Sequence, residues 1–154
     1  MDFLRPILLL VSFYAVTGCA SQRDPATEAL RGAAQSALVG EFVDDYGINY
    51  SITEKEWHQH PEARYRIVRW RPEKQYLIAQ NDTENPSDAG LWTRIDWMKL
   101  SDMPPYEWAF CLSAYASPTA AAAEETTLAN RDMPRTGCNG HPFSRMRIRN
   151  ATSR

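Results

Sequence analysis

Residues 64–80 read RYRIVRWRPEKQYLIAQ, and this stretch decides the fold class. Tyr65, Ile67 and Arg69 alternate with Arg66, Val68 and Trp70. An extended segment so patterned turns one face to a core and leaves the other partly wet. Pro72-Glu73-Lys74 supplies a turn, and Gln75–Gln80 resumes as a short apolar strand. The pair predicts an antiparallel hairpin over Arg64–Gln80.

The same reading extends in both directions. Downstream, Asn81–Gly90 (NDTENPSDAG) is a loop by composition, and Asn85-Pro86 bars helix there. Leu91–Leu100 (LWTRIDWMKL) alternates again, with Leu91, Thr93, Ile95 and Trp97 opposing Trp92, Arg94, Asp96 and Met98. Tyr106–Tyr115 and Phe143–Ile148 carry the same two-residue period. Upstream, Leu38–Thr53 reads as strand, turn and strand around Asp44-Asp45-Tyr46-Gly47, whereas residues 54–62 (EKEWHQHPE) are polar around Trp57 and read as a connection. Ser117 as N-cap and Pro118 in the first turn predict one late helix, Pro118–Asn130. Its main large apolar residue is Leu128, so it is expected to lie over the sheet rather than build a core. No βαβ alternation interrupts the strands. The expected fold is mainly β: a small antiparallel meander, closed as a barrel or packed as a sandwich, with one late α-helix.

Composition sets the outer limits. The chain has 154 residues, 44% of them hydrophobic, with 17 Lys+Arg against 19 Asp+Glu and a formal net charge of −2. Such a chain is globular, long enough for one domain, and with its slight negative charge a poor nucleic-acid binder, because phosphate binding needs a basic face. No nucleic-acid partner is expected.

The N-terminus reads as an address. Arg5 precedes an apolar run, Ile7–Val16, about half the roughly 20 residues a membrane-crossing helix requires. The run has the length of a secretory signal core. It ends in Val16-Thr17-Gly18-Cys19, which resembles the bacterial lipobox, with Val16 in place of the more usual Leu. The resemblance implies a lipoprotein signal over residues 1–18, cleavage before Cys19, and attachment to the lipid bilayer through acylated Cys19. Ala20-Ser21 follow with no Asp at the second position, which under the enteric sorting rule implies the outer membrane. Residues 19–37 are then the lipidated cysteine and a tether, 38–149 the β-rich domain, and 150–154 a polar tail. Residues 20–37 also hold good helix formers, but a solvated tether is the expected state.

Export leaves Cys111 and Cys138 as an even pair in an oxidising compartment, and a disulfide is expected between them. A metal site is not: only His141 lies near Cys138 in sequence, and His58 and His60, which with His141 could make a three-His site, read as a chance pair on a polar loop. No cofactor is expected. No P-loop, Rossmann glycine pattern or G-x-S-x-G is present, and the cysteines are taken, so the chain is read as a non-enzyme.

A resemblance spans about two thirds of the domain. Ala79-Gln80-Asn81-Asp82, Asn85, Trp92-Thr93-Arg94-Ile95-Asp96-Trp97, Cys111 and Gly137-Cys138-Asn139-Gly140 resemble a family of small bacterial secreted proteins and lipoproteins. The family's pattern runs AQND, then W-[ST]-R-[FI]-D-W, a cysteine and GC-x-G. It implies a shared fold and names no chemistry. The start of the domain, GEF…DDYG, also resembles a lipocalin faintly.

Trp92, Arg94, Asp96, Trp97, Asn81 and Asp82 are the candidate ligand-binding residues. On a strand Arg94 and Asp96 share a face and either pair with each other or grip a charged group. Asn81 and Asp82 either bind a ligand or cap their own loop as Asx-turns. The expected role is a membrane-anchored binding or interaction module for a small ligand or an envelope protein. The alternatives are a structural or assembly lipoprotein of the outer membrane and, third, a small hydrolase.

Overall fold

The computed structural model of the protein describes residues 24–126 and 129–150. The expected signal segment 1–18, Cys19 and its tether as far as residue 23, Leu128, and residues 151–154 lie outside the described residues.

The domain is a closed eight-stranded antiparallel barrel in strict chain order. The strands are β1 (Gly40–Asp44), β2 (Asn49–Ile52), β3 (Glu56–Gln59), β4 (Ala63–Arg71), β5 (Tyr76–Asn81), β6 (Trp92–Lys99), β7 (Trp108–Ser117) and β8 (Ser144–Ile148). Pairing of Phe42 with Ile148, Val43 with Arg147 and Asp44 with Met146 closes β1 on β8. Helix α1 (Pro25–Ser36) precedes the barrel, and α2 (Ala120–Glu125) sits between β7 and β8.

The expected hairpin forms as β4 and β5, joined by a 3-10 turn at Pro72–Lys74, but its face assignment changes midway. Ile67 pairs with Ala79 and Arg69 with Ile78, so Val68 is an extra residue, a β-bulge. Beyond it the alternation inverts: Trp70 turns inward and Arg69 outward, the reverse of the simple period. The polar stretch 54–62 also departs from expectation. It contains a strand, β3, whose Trp57 is fully buried. A four-residue strand offers one or two inward positions, so a single tryptophan satisfies it.

Eight strands leave an interior just wide enough for side chains to fill. Phe42, Tyr50, Trp57, Trp108 and Phe110 fill it, meeting edge to face at centroid distances of 5.1–6.0 Å. At the end where β1 begins, Trp70 meets Trp97 at 5.8 Å, and Leu38 is buried in the same core. The interior is therefore a packed aromatic core and not a lipocalin-type calyx. Outward-facing positions carry Glu41, Arg64, Arg66 and Arg69, charges that a lipid-facing barrel surface excludes. No helix among the described residues is long and apolar enough to cross a membrane.

Two further departures concern the helices. Residues 25–36, expected as tether, are α1: Asp24 caps the Ala26 N–H at 2.9 Å, and Pro25 occupies the first turn. The helix buries none of its own residues. The late helix is shorter than Pro118–Asn130 and is capped by Thr119, whose hydroxyl accepts from the Ala122 N–H at 3.1 Å, rather than by Ser117. As expected, it lies over the sheet, on β5, β6 and β7.

Candidate functional site

Alternation along β6 separates the candidate residues. Arg94 and Asp96 point outward, beneath α2 and the segment that follows it, and both are buried. They pair as a fork: Arg94 Nε lies 2.7 Å from Asp96 Oδ2, and Nη2 lies 3.0 Å from Oδ1. Ser113 donates to Oδ2, and Arg131 Nη2 to Oδ1 at 2.7 Å. The remaining Arg94 nitrogen donates to the carbonyls of Glu124 and Thr126, and its guanidinium lies 4.0 Å from the centre of the Tyr76 ring. Every polar atom of the pair has a protein partner. The arrangement pins the C-terminal end of α2 to the sheet and leaves no charge for a ligand.

Glu124 completes this network from above. It accepts from Tyr76 Oη at 2.9 Å and from Arg71 Nε at 3.2 Å, and it pairs with Arg69. Burial works against its charge, yet the Tyr76 hydroxyl and the two guanidinium groups hold its carboxyl below the usual range.

Trp92 packs outward with Tyr76, Ile78, Ala120 and Ala123 under α2. Trp97 points inward at the far end of the barrel and does not share a face with Trp92 and Arg94. Asp82 makes the expected Asx-turn, accepting from the Glu84 N–H at 2.9 Å. Asn81 instead reaches across strands. Its Nδ2 donates to the carbonyls of Asp88 at 2.8 Å and Tyr115 at 2.9 Å, and its Oδ1 accepts from Thr93. The six candidates are thus three separate groups, and none of them lines a shared cleft.

One cleft, lined by none of the six, lies at the barrel mouth where β1 ends, opposite α1. Its volume is about 600 Å³, within the roughly 300–1,000 Å³ of small-ligand sites. Tyr46, Tyr115, Gln59, Asn139, His141 and Ser144 are among its lining residues. Asp44 positions one wall. It is buried, and its Oδ1 accepts from the N–H groups of Tyr46 (2.9 Å) and Ile48 (2.8 Å) while Oδ2 accepts from Tyr50 Oη (3.0 Å). Burial, and next the Asp44 carboxylate, push the Tyr50 hydroxyl far above its ordinary pKa.

The opposite wall depends on the disulfide. Cys111 and Cys138 are bonded, as expected. Cys138 and His141 exchange both backbone hydrogen bonds, at 2.9 and 2.8 Å, around Asn139 and Gly140, whose φ angles are +50° and +87°. Two successive positive φ values are the signature of a type I′ turn, for which Asn-Gly is the preferred pair. That dipeptide was the sequence signal for this wall. The turn Asp44-Asp45-Tyr46-Gly47 was legible too, but nothing placed Tyr46 beside Tyr115 and Gln59, because the turn and the two strands that carry them are separated in sequence.

His58 and His60 share the outer face of the β3 end, with ring centroids 3.9 Å apart. His60 Nε2 lies 2.7 Å from Ser51 Oγ, which donates to Glu41 at 3.0 Å. Burial and then the adjacent His58 ring lower the His60 pKa. Among the described residues, no three His, Cys, Asp or Glu side chains gather to hold a metal ion. A second cleft of about 530 Å³ lies between α1 and the other barrel mouth, over Trp97 and Trp108. No protein-family model, curated protein or solved structure matches this chain.

Proposed function

We propose that this protein is an envelope lipoprotein, anchored in the outer membrane through acylated Cys19, whose barrel is a non-enzymatic binding module. One observation carries the reading: the tyrosine-bearing cleft and helix α1 occupy opposite mouths of the barrel. The anchor segment leads into α1, so the cleft is presented away from the bilayer. The likeness of Asn81, Trp92, Arg94 and Asp96 to the secreted and lipoprotein family belongs to the same proposal, with these residues supporting the scaffold rather than touching the ligand.

Fractionation of cells expressing the full chain tests the anchor. Cys19→Ser should move the protein from the membrane to the soluble fraction, and retention would overturn the anchor. Native mass spectrometry of the full chain, released in mild detergent, tests the module. The expected result is an added small-molecule mass that is lost in Tyr115→Ala. A bare mass, with cross-links from the cleft to another envelope protein, would support an assembly role instead.

A further inference from the structure

We infer that the cleft at the Asp44 end of the barrel binds an uncharged saccharide, with a sugar ring stacked on Tyr46 or Tyr115. This inference rests on the reading of the chain as a binding module and names the ligand class.

The chemistry of the lining selects among ligands. Tyr46 and Tyr115 are 68% and 53% exposed, whereas the other described phenylalanine, tyrosine and tryptophan rings are buried or half-buried. An exposed tyrosine offers an apolar face and a polar tip. Around the two rings stand neutral hydrogen-bonding groups: the amides of Gln59 and Asn139 and the hydroxyl of Ser144. The lining includes no lysine or arginine, and His141 is its one basic side chain, so an anionic ligand lacks the guanidinium or ammonium partner that would grip it. Asp44 is its one carboxylate, and both its oxygens are already engaged by Tyr46, Ile48 and Tyr50. A cation therefore finds no free counter-charge. A wholly apolar ligand would cover the amides without pairing them, which is unfavourable. A saccharide has an apolar ring face to stack and hydroxyls that both donate and accept, and so it matches both parts of the lining.

The cleft is also built before any ligand arrives. Asp44 fixes the backbone on both sides of the turn that presents Tyr46. Asn81 holds the Tyr115 carbonyl at 2.9 Å, and Thr93 approaches the same oxygen at 3.4 Å. The disulfide and the Asn139–Gly140 turn set the third wall. Holding these walls in place reduces the ordering cost of binding. Asn81 and Thr93 are positioning residues here, acting through Tyr115.

The test uses the full chain in detergent micelles, titrated separately with tri-N-acetylchitotriose, maltotriose and cellotriose. Saturation-transfer NMR and calorimetry read the binding. At least one of the three should bind saturably, with affinity falling tenfold or more in Tyr46→Ala or Tyr115→Ala and retained when the same tyrosine becomes Trp. Both tyrosines are exposed, so the variants should fold, and their circular dichroism should match the parent. Absence of saturable binding by all three, or binding that neither alanine variant weakens, overturns the saccharide assignment. A photo-reactive residue at position 46, activated in intact cells, separates the two levels. If no saccharide binds but the probe captures a protein or lipid, only the ligand class is overturned. If it captures nothing, the binding-module reading is overturned as well.

Discussion

Asp96 is 1% exposed and faces two guanidinium groups and a hydroxyl. Removing a carboxylate from such a site leaves Arg94 buried without its counter-charge, a change that typically costs about 3–5 kcal/mol. Asp96→Asn, nearly the same size, should lower stability by that order in urea unfolding. A loss below about 1 kcal/mol would mean that the carbonyls of Glu124 and Thr126 suffice for Arg94. Much of this pair was legible: alternation in LWTRIDW puts Arg94 and Asp96 on one face and Trp97 on the other. What alternation does not encode is which face the later chain covers. That depends on α2 and Arg131, whose contacts lie roughly 30 or more residues away in sequence. Gly137 shows the same limit. A Cβ there would sit 1.9 Å from the Asn130 carbonyl oxygen, so the glycine of the GC-x-G pattern answers to a close backbone approach that no local rule reveals.

At the scale of elements, α2 is a short helix held by charge as well as by the packing of Ala120 and Ala123 on Trp92, Tyr76 and Ile78. Its last turn gives carbonyls to Arg94, a favourable place for a cation, and Glu124 accepts from Tyr76, Arg71 and Arg69. Burial alone would raise the Glu124 pKa, but these partners outweigh it and the folded pKa is lowered. A lowered carboxyl pKa stabilises the fold above the unfolded value, near 4.3, and that contribution is lost as pH falls through the folded value. Glu124→Gln should therefore be less stable than the parent at pH 7, with the difference narrowing as pH drops below about 4. Urea midpoints of both proteins across that range would check it, and a gap independent of pH would contradict the assignment. The elements that sequence reading missed share one physical cause. β3 turns a single large apolar residue inward, α1 buries nothing, and the Val68 bulge inserts one residue and inverts the faces after it. In each case the periodic apolar signal is too short or is broken. The signals that were present are local and chemical: Asp24-Pro25 for α1, and Asn139-Gly140 for the turn beside the disulfide.

At the scale of the whole molecule, the barrel closes by pairing the ends of the domain, about a hundred residues apart, through three residue pairs of β1 and β8. Such closure carries a loop-entropy cost before its contacts form. A second long-range tie lies close to it: the Cys111–Cys138 bridge joins β7 to the loop that feeds β8. The two half-cystines are 27 residues apart, for which chain-entropy arguments give about 3 kcal/mol of stabilisation through the unfolded ensemble. Native contacts also hold this region, since Phe143 packs against Ala109 and Cys111, and Cys138 pairs with Ala129. The double variant Cys111→Ala/Cys138→Ala should consequently fold to the same barrel, with unchanged far-ultraviolet circular dichroism, and lose about 3 kcal/mol in urea unfolding. Its cleft should suffer separately, because the Asn139–Gly140 wall loses its covalent seat while the Tyr46 wall, held by Asp44, does not. A loss of stability below about 1 kcal/mol would show that packing around Phe143 already restrains the segment and that the bridge acts on the cleft alone.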